Sequence, residues 1–164
     1  MQTLLTPWRF AYITETSVVP DACFLCAGAA QPEDPQRLVV AMTEHHLVML
    51  NRYPYTNGHL MVAPIRHLGN PEGSGPEAVA EFWPLVLKCQ RVLVQAYGPD
   101  GFNMGLNLGE AGGAGVPEHF HFHVVPRWSG DTNFMSVVAE TRLLPEEPIR
   151  IRERLLPLFE EEES

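Results

Sequence analysis

The chain has no apolar run approaching the roughly 20 residues that a membrane-crossing helix needs. Its first residues, Met-Gln-Thr-Leu-Leu-Thr-Pro, lack the basic stretch and apolar core of a secretory signal. No membrane partner and no export are therefore expected. Positive charge is also scarce: 11 Lys and Arg face 20 Asp and Glu, for a net charge of −9. That balance argues against a nucleic-acid partner, which would call for a basic stripe. It still admits a nucleotide, because a small local set of donors is enough for phosphates. Cysteine is limited to three, an odd number, with two as Cys23-x-x-Cys26. This is no disulfide framework, and a reduced, cytoplasmic setting is the natural expectation. There is no internal repeat, long linker or second composition regime. With 164 residues, 45% of them apolar, the chain reads as one domain over 1–164. The acidic run Glu160 to Glu163 reads as a solvated tail within 160–164.

What is present alternates between strand and helix patterns. Leu38–Met42 and His46–Leu50 read as strands with a turn at Thr43-Glu44-His45, and Asn51–Gly58 carries turn chemistry before a third strand at His59–Ala63. A Gly/Pro loop spans Asn70–Pro76. Glu77–Tyr97 then places Val79, Phe82, Val86, Leu87, Val92 or Leu93, and Ala96 at helical spacing, with Gly98-Pro99 as the stop. Pro84 inside this pattern should kink the helix or mark its first turn, and Cys89 reads as a small buried residue. Further strands are expected at Phe102–Leu108 and Phe134–Ala139, and a terminal helix at Ile149–Phe159 broken near Pro157. The fold class is α+β: an antiparallel sheet of about five strands with the long helix packed on one face.

The chemistry concentrates in His119-Phe-His121-Phe-His123-Val-Val-Pro126-Arg127. Period-2 alternation would put three imidazoles on one strand face, each step of two residues advancing about 6.6 Å. Two uses fit. A neutral imidazole, with an ordinary pKa of about 6.5, can attack phosphorus while its neighbours stabilise charge. Alternatively, imidazoles two residues apart can clamp a metal ion. Just upstream, Gly109-Glu-Ala-Gly-Gly-Ala-Gly115 can turn backbone N–H groups toward one anion, with Gly113 and Gly115 among the candidates. Cys23-x-x-Cys26 has zinc-knuckle spacing, against which stand two free thiols or a redox pair without a βαβ context. His45 and His46 are rival ligands, but their turn position points to the surface.

Together these motifs resemble the histidine triad (HIT) family of nucleotide hydrolases and transferases. The resemblance rests on the triad with Val124-Val125-Pro126-Arg127, on Pro7-Trp8-Arg9 with Tyr12-Ile13, and on Cys23-x-x-Cys26. It extends through Asn51-Arg-Tyr-Pro-Tyr-x-Asn-Gly-His59, Asp100-Gly-Phe-Asn and Gly130-Asp-Thr-Asn-Phe134. It runs from about Pro7 to Arg142 and is strongest to the branch of diadenosine polyphosphate phosphorylases and hydrolases.

Carried over, the resemblance makes His121 the nucleophile at the α-phosphorus, held by the backbone carbonyl of His119. It makes His123 and His59 donors to the non-bridging oxygens. Asn51 would contact the ribose, although a turn-forming Asn explains it as well. Met49 would wall the base pocket, although the residues alone read as core. Asn107 would contact phosphate, and Trp128 would line the far end of the site or a dimer interface. A structural zinc would sit on Cys23, Cys26, His67 and His119, and a divalent cation would accompany the nucleotide. Adenine nucleotides as substrates and a homodimer joined sheet edge to sheet edge are also implied by the family. One departure stands out: Gly115-Val116-Pro117-Glu118 lacks the hydroxyl or amide that many members use for the leaving group. That favours polyphosphates, whose leaving groups need no proton, over phosphoramidates. The alternatives are a phosphoramidate hydrolase or a non-catalytic nucleotide- and zinc-binding module.

Overall fold

Among the described residues, five short strands carry the molecule: β1 (Val39–Met42), β2 (His46–Leu50), β3 (Leu60–Pro64), β4 (Gly101–Leu106) and β5 (Phe122–Arg127). They form one sheet in the order β1-β2-β3-β5-β4, with every pairing antiparallel. The computed structural model describes residues 23–131 and 146–161. The expected strand at Phe134–Ala139 and the motif at Pro7–Ile13 lie outside the described residues.

Both sheet faces are covered in the middle, which is why β2 and β3 are buried at all five positions and read as continuous apolar runs. One face carries Val48, Leu50, Leu60, Val62, Phe122 and Val124 against helices α2 (Pro76–Tyr97) and α3 (Pro148–Glu161). The opposite face carries Val39, Leu47, Met49, Met61 and Ala63 beneath Leu25 of the short helix α1 (Phe24–Ala30). Gly28 permits that close approach, since a β-carbon there would stand 3.2 Å from Val39 Cγ2. α3 is fastened by buried Arg152, whose Nε donates to the Val39 carbonyl at 2.8 Å.

The long helix starts at Pro76, in the first-turn position that tolerates proline, and ends at Gly98 in the left-handed conformation with its N–H on Val94 O. Pro84 neither starts nor ends it: Pro84 and Ala80 are both exposed, so the carbonyl left without an N–H partner can be met by water. The buried stripe is Leu85, Val86, Cys89, Val92 and Leu93. Val79 and Leu87, expected on the inner face, are 61% and 38% exposed. α3 likewise runs through exposed Pro157 to Glu161, so Glu160 and Glu161 belong to a helix and not to a tail. β4 ends at Leu106, two residues earlier than expected, because the glycine loop already turns from Asn107.

The two leucines on one helix make a direct test of this packing. Leu93→Ala should lower unfolding stability by about 2–5 kcal/mol, while Leu87→Ala should cost about 1 kcal/mol or less. Chemical denaturation of both variants checks the difference.

Candidate active site

The α1 face of the sheet holds the histidines. In the β3–β5 pairing Met61 lies opposite His123, and in β4–β5 Gly105 does. A β-carbon at Gly105 would meet nothing within 4 Å, so the sheet is open on that side of His123. His59, just before β3, reaches across to His123: its Nε2 is 2.9 Å from His123 Nδ1. Its other nitrogen, Nδ1, accepts the backbone N–H of Tyr55 at 3.1 Å.

These partners determine the tautomers. A backbone N–H can only donate, so neutral His59 accepts at Nδ1 and carries its proton on Nε2. That proton is donated to His123 Nδ1, leaving the His123 proton on Nε2. At His121 the partner is of the other kind: Nδ1 lies 3.1 Å from the His119 carbonyl, which can only accept. Nδ1 of His121 therefore bears the proton and Nε2 bears a lone pair. The His121 and His123 rings are 4.9 Å apart, so a nucleophilic nitrogen and an N–H donor stand side by side. Burial lowers the pKa of His121. Burial, with His121 beside it, brings His123 down to about 4. Both rings are neutral at physiological pH. His59, expected to face the phosphate, is 0% exposed with both ring nitrogens engaged.

His119 departs from the strand pattern. β5 begins only at Phe122, because the Phe120 N–H goes to Leu68 O at 2.7 Å and the His119 N–H closes a turn on Val116 O. The His119 ring meets the thiols instead: Nδ1 lies 3.2 Å from Cys23 Sγ and 3.4 Å from Cys26 Sγ. Cys26 Sγ also lies 3.2 Å from His67 Nδ1. All four donor atoms fall within 4.8 Å of one another. Four ligands at about 2.0–2.3 Å from one tetrahedral zinc would be separated by roughly 3.3–3.8 Å, and three donor pairs here, at 3.2, 3.2 and 3.4 Å, lie close to that spacing. His119 Nε2 donates to Pro64 O at 2.8 Å, so its Nδ1 presents the lone pair a metal requires. A proton on His119 Nδ1 would instead be shared with the thiols: burial opposes ionisation of Cys23, but with that proton hydrogen bonds led by His119 prevail and bring it to about 6, while burial and then the Cys23 charge raise Cys26.

The other expected residues have mostly local partners. Asn51 Oδ1 accepts the Tyr53 N–H at 2.9 Å, as a turn residue does. Met49 is 4% exposed and packs in the core beneath α1. Asn107 Nδ2 braces the glycine loop through Gly113 O at 3.4 Å. Within that loop the N–H groups of Gly113 and Ala114 close internal turns on Glu110 O and Gly109 O, so these two do not serve an anion. Gly113 has φ 81°, and Gly112 is required by crowding, since a β-carbon there would lie 2.3 Å from Leu108 O. Gly115 is exposed, and Trp128 is half-buried just after β5. His46, expected at the surface, is 1% exposed; its Nδ1 lies 2.8 Å from Glu81 Oε1, which also accepts the Thr43 hydroxyl.

Two aromatic residues at the site have no role assigned from the sequence, Phe24 and the Tyr55 of the Asn51–His59 motif. Phe24 meets His121 edge-on with centroids 6.4 Å apart. Tyr55 stacks on His59 at 4.8 Å and 25°. The only available signal was proximity, Phe24 lying between the two cysteines and Tyr55 four residues before His59.

A HIT domain model matches residues 31–130, more than half of the chain. The chain belongs to the HIT family. Among relatives, the AP-4-A phosphorylase of Mycobacterium tuberculosis is 39% identical over 153 residues, covering 89% of this chain and 78% of that protein. The adenosine 5'-monophosphoramidase of Schizosaccharomyces pombe is 32% identical over 88 residues, covering 54% and 62%. A zinc-bound histidine triad family protein from Mycobacterium smegmatis superposes with a TM-score of 0.68 at 26% identity, covering 87% of this chain and 96% of that one. The α+β HIT fold is thus shared along most of the molecule.

The histidine pKa values give a test. By NMR, His123 should titrate near 4 and not near 6.5. The unfolded chain takes up that proton at about 6.5, whereas the native site refuses it until about 4. Its contribution to stability is therefore complete above 6.5 and is lost as pH falls from 6.5 to 4. Thermal unfolding midpoints at pH 7.5, 6 and 5 should fall in that order.

Proposed function

We propose that this HIT protein transfers a nucleotidyl group from a dinucleoside polyphosphate such as diadenosine tetraphosphate. The observation that carries the reading is the pair of neutral rings, His121 with a lone pair on Nε2 and His123 with its proton on Nε2. His121 Nε2 attacks the α-phosphorus, the bond from that phosphorus to the bridging oxygen breaks, and ATP leaves with the bond electrons. The His121 ring becomes the covalent nucleotidyl-histidine. His123 donates to a non-bridging oxygen, whose charge grows in the transition state. Attack by inorganic phosphate then yields ADP, and attack by water yields AMP. Val116 and its neighbours offer no side-chain hydroxyl or amide for the leaving group, and an ATP leaving group at neutral pH needs none. The name of the 39% identical relative supports phosphate as acceptor. The phosphoramidase relative supports the second reading, hydrolysis of a nucleoside phosphoramidate.

Zinc on Cys23, Cys26, His67 and His119 belongs to the same reading, supported by the donor geometry and by the zinc-bound neighbour. Bound there, it would tie α1 to the segment before β5 and supply no reacting atom. Any divalent cation with the nucleotide would ride on the substrate's phosphates, since the described residues hold no second cluster of metal-binding side chains. A homodimer through sheet edges and a cytoplasmic setting complete the proposal; β4 is an edge strand, and the cysteines among the described residues are unpaired.

Product analysis with diadenosine tetraphosphate should give ADP and ATP only when inorganic phosphate is present. AMP and ATP without phosphate would mark a hydrolase, and faster cleavage of an adenosine phosphoramidate would displace the polyphosphate reading. His121→Ala should reduce turnover by at least about 10³-fold while retaining nucleotide binding. Elemental analysis of protein purified without chelators should find about one zinc per chain. Cys26→Ser should lose that metal and lower the unfolding midpoint; a metal-free wild type would refute the site.

A further inference from the structure

We infer that Tyr55 is a positioning residue: it holds His59, and through His59 it holds His123 with its proton on the nitrogen that meets the substrate. The inference rests on the proposed transfer reaction for its kinetic consequence, but its geometry stands independently.

His59 cannot be a phosphate ligand in this structure, since it is 0% exposed. Its two nitrogens lie between a fixed donor, the Tyr55 N–H at 3.1 Å, and His123 Nδ1 at 2.9 Å. The polarity of that chain is set entirely at the Tyr55 end. If His59 turned over by half a rotation about Cβ–Cγ, Cδ2 and Cε1 would replace Nδ1 and Nε2, both hydrogen bonds would be lost and the proton on His123 would lose its bias toward Nε2. A hydrogen bond to a backbone N–H does not by itself stop the ring from tilting. The Tyr55 side chain does so from the open side, stacking on His59 at 4.8 Å with planes 25° apart and leaning on His123 at 6.0 Å. Tyr55 is 38% exposed whereas the His59 beneath it is 0% exposed, so the aromatic side chain forms the solvent side of that stack. On the β3 side Met61 lies opposite His123. One residue thus supplies both the hydrogen bond that selects the tautomer and the aromatic surface that keeps the selecting ring in place.

The test compares Tyr55→Phe with Tyr55→Ala in the full-length protein as purified. Nitrogen-15 NMR of the histidine rings reads tautomers with no substrate present. Wild type and Tyr55→Phe should show His123 in a single form, protonated on Nε2, whereas Tyr55→Ala should show mixed tautomers for His59 and His123. With diadenosine tetraphosphate and phosphate, Tyr55→Ala should lose about 10–100-fold in kcat with KM changed by less than about threefold, and Tyr55→Phe should stay within about threefold of wild type in both. Three outcomes overturn the inference. Loss in Tyr55→Phe equal to that in Tyr55→Ala would assign the role to the phenol hydroxyl. A raised KM with unchanged kcat would make Tyr55 a wall for substrate. An unchanged His123 tautomer in Tyr55→Ala would remove the mechanism outright. Should Tyr55→Ala fold poorly, Tyr55→Leu keeps apolar bulk without a flat stacking face and should show the same mixed tautomers. If the wild type proved inactive on every nucleotide tried, the transfer reading would fail, while the NMR comparison would still decide the role of Tyr55.

Discussion

The antiparallel pairing of β3 with β5 is the constraint on which the site depends. It sets Met61 opposite His123 and Leu60 opposite Val124, and so brings His59 within hydrogen-bond reach of a residue 64 positions away. A slip of one residue would invert every side chain of β5, sending His123 into the α2–α3 core and Val124 onto the site face. The register is held because that slip would bury the His123 ring among apolar side chains with no polar partner. The same strand contributes Pro64 O to His119, which aims that ring at the cysteines. Catalytic candidates and metal-type donors are therefore both referenced to β3, from its two ends.

The chemistry on this frame is that of neutral imidazoles kept neutral. Burial penalises the charged form of His121 and His123, and their mutual proximity penalises it further at His123. Neutrality alone does not say which nitrogen carries the proton. Two main-chain groups decide that, the His119 carbonyl for His121 and the Tyr55 N–H for His59 and then His123. Because the backbone cannot exchange donor for acceptor, the assignment is insensitive to pH across the physiological range. The glycine loop contributes space more than charge: Gly112 cannot bear a side chain beside Leu108 O, while the Gly113 and Ala114 N–H groups hold the loop together.

Much of the frame was legible in the residues. The strands at β1, β2, β3 and β5 followed from β-branched and apolar runs between turn signals, and α2 followed from its long apolar period and the Gly98 stop. The errors have definite causes. Val79 and Leu87 share a helix face with Trp83 and Val94, turned away from the buried stripe of Leu85, Val86, Cys89, Val92 and Leu93, so they stay exposed. Pro84 and Pro157 mark no break, because each sits on a helix face open to water. His46 read as surface from its place beside a turn, yet Glu81, arriving from α2, supplies a buried partner that no local pattern could announce. Met49 lies in the cluster beneath α1 and Asn51 Oδ1 accepts a local turn N–H, so their contacts with base and ribose stay expectations that rest on the family likeness.

By itself, the sequence determined the strands of the sheet and the two longer helices (but not α1), the alternation that sorts β5 into a core face and a histidine face, and the residue types available for chemistry. Those properties depend on neighbours two to four positions apart, where backbone geometry is the only mediator. Only the tertiary structure decided which ring does what. His119 turns to Cys23 and Cys26, His121 keeps a free lone pair, and His59 is sealed behind Tyr55 and serves His123 from within. An imidazole is donor or acceptor at either nitrogen until a partner chooses. For His119 and His123 that partner comes from a distant part of the chain; for His121 and His59 it lies two and four residues away, and the fold alone aims it.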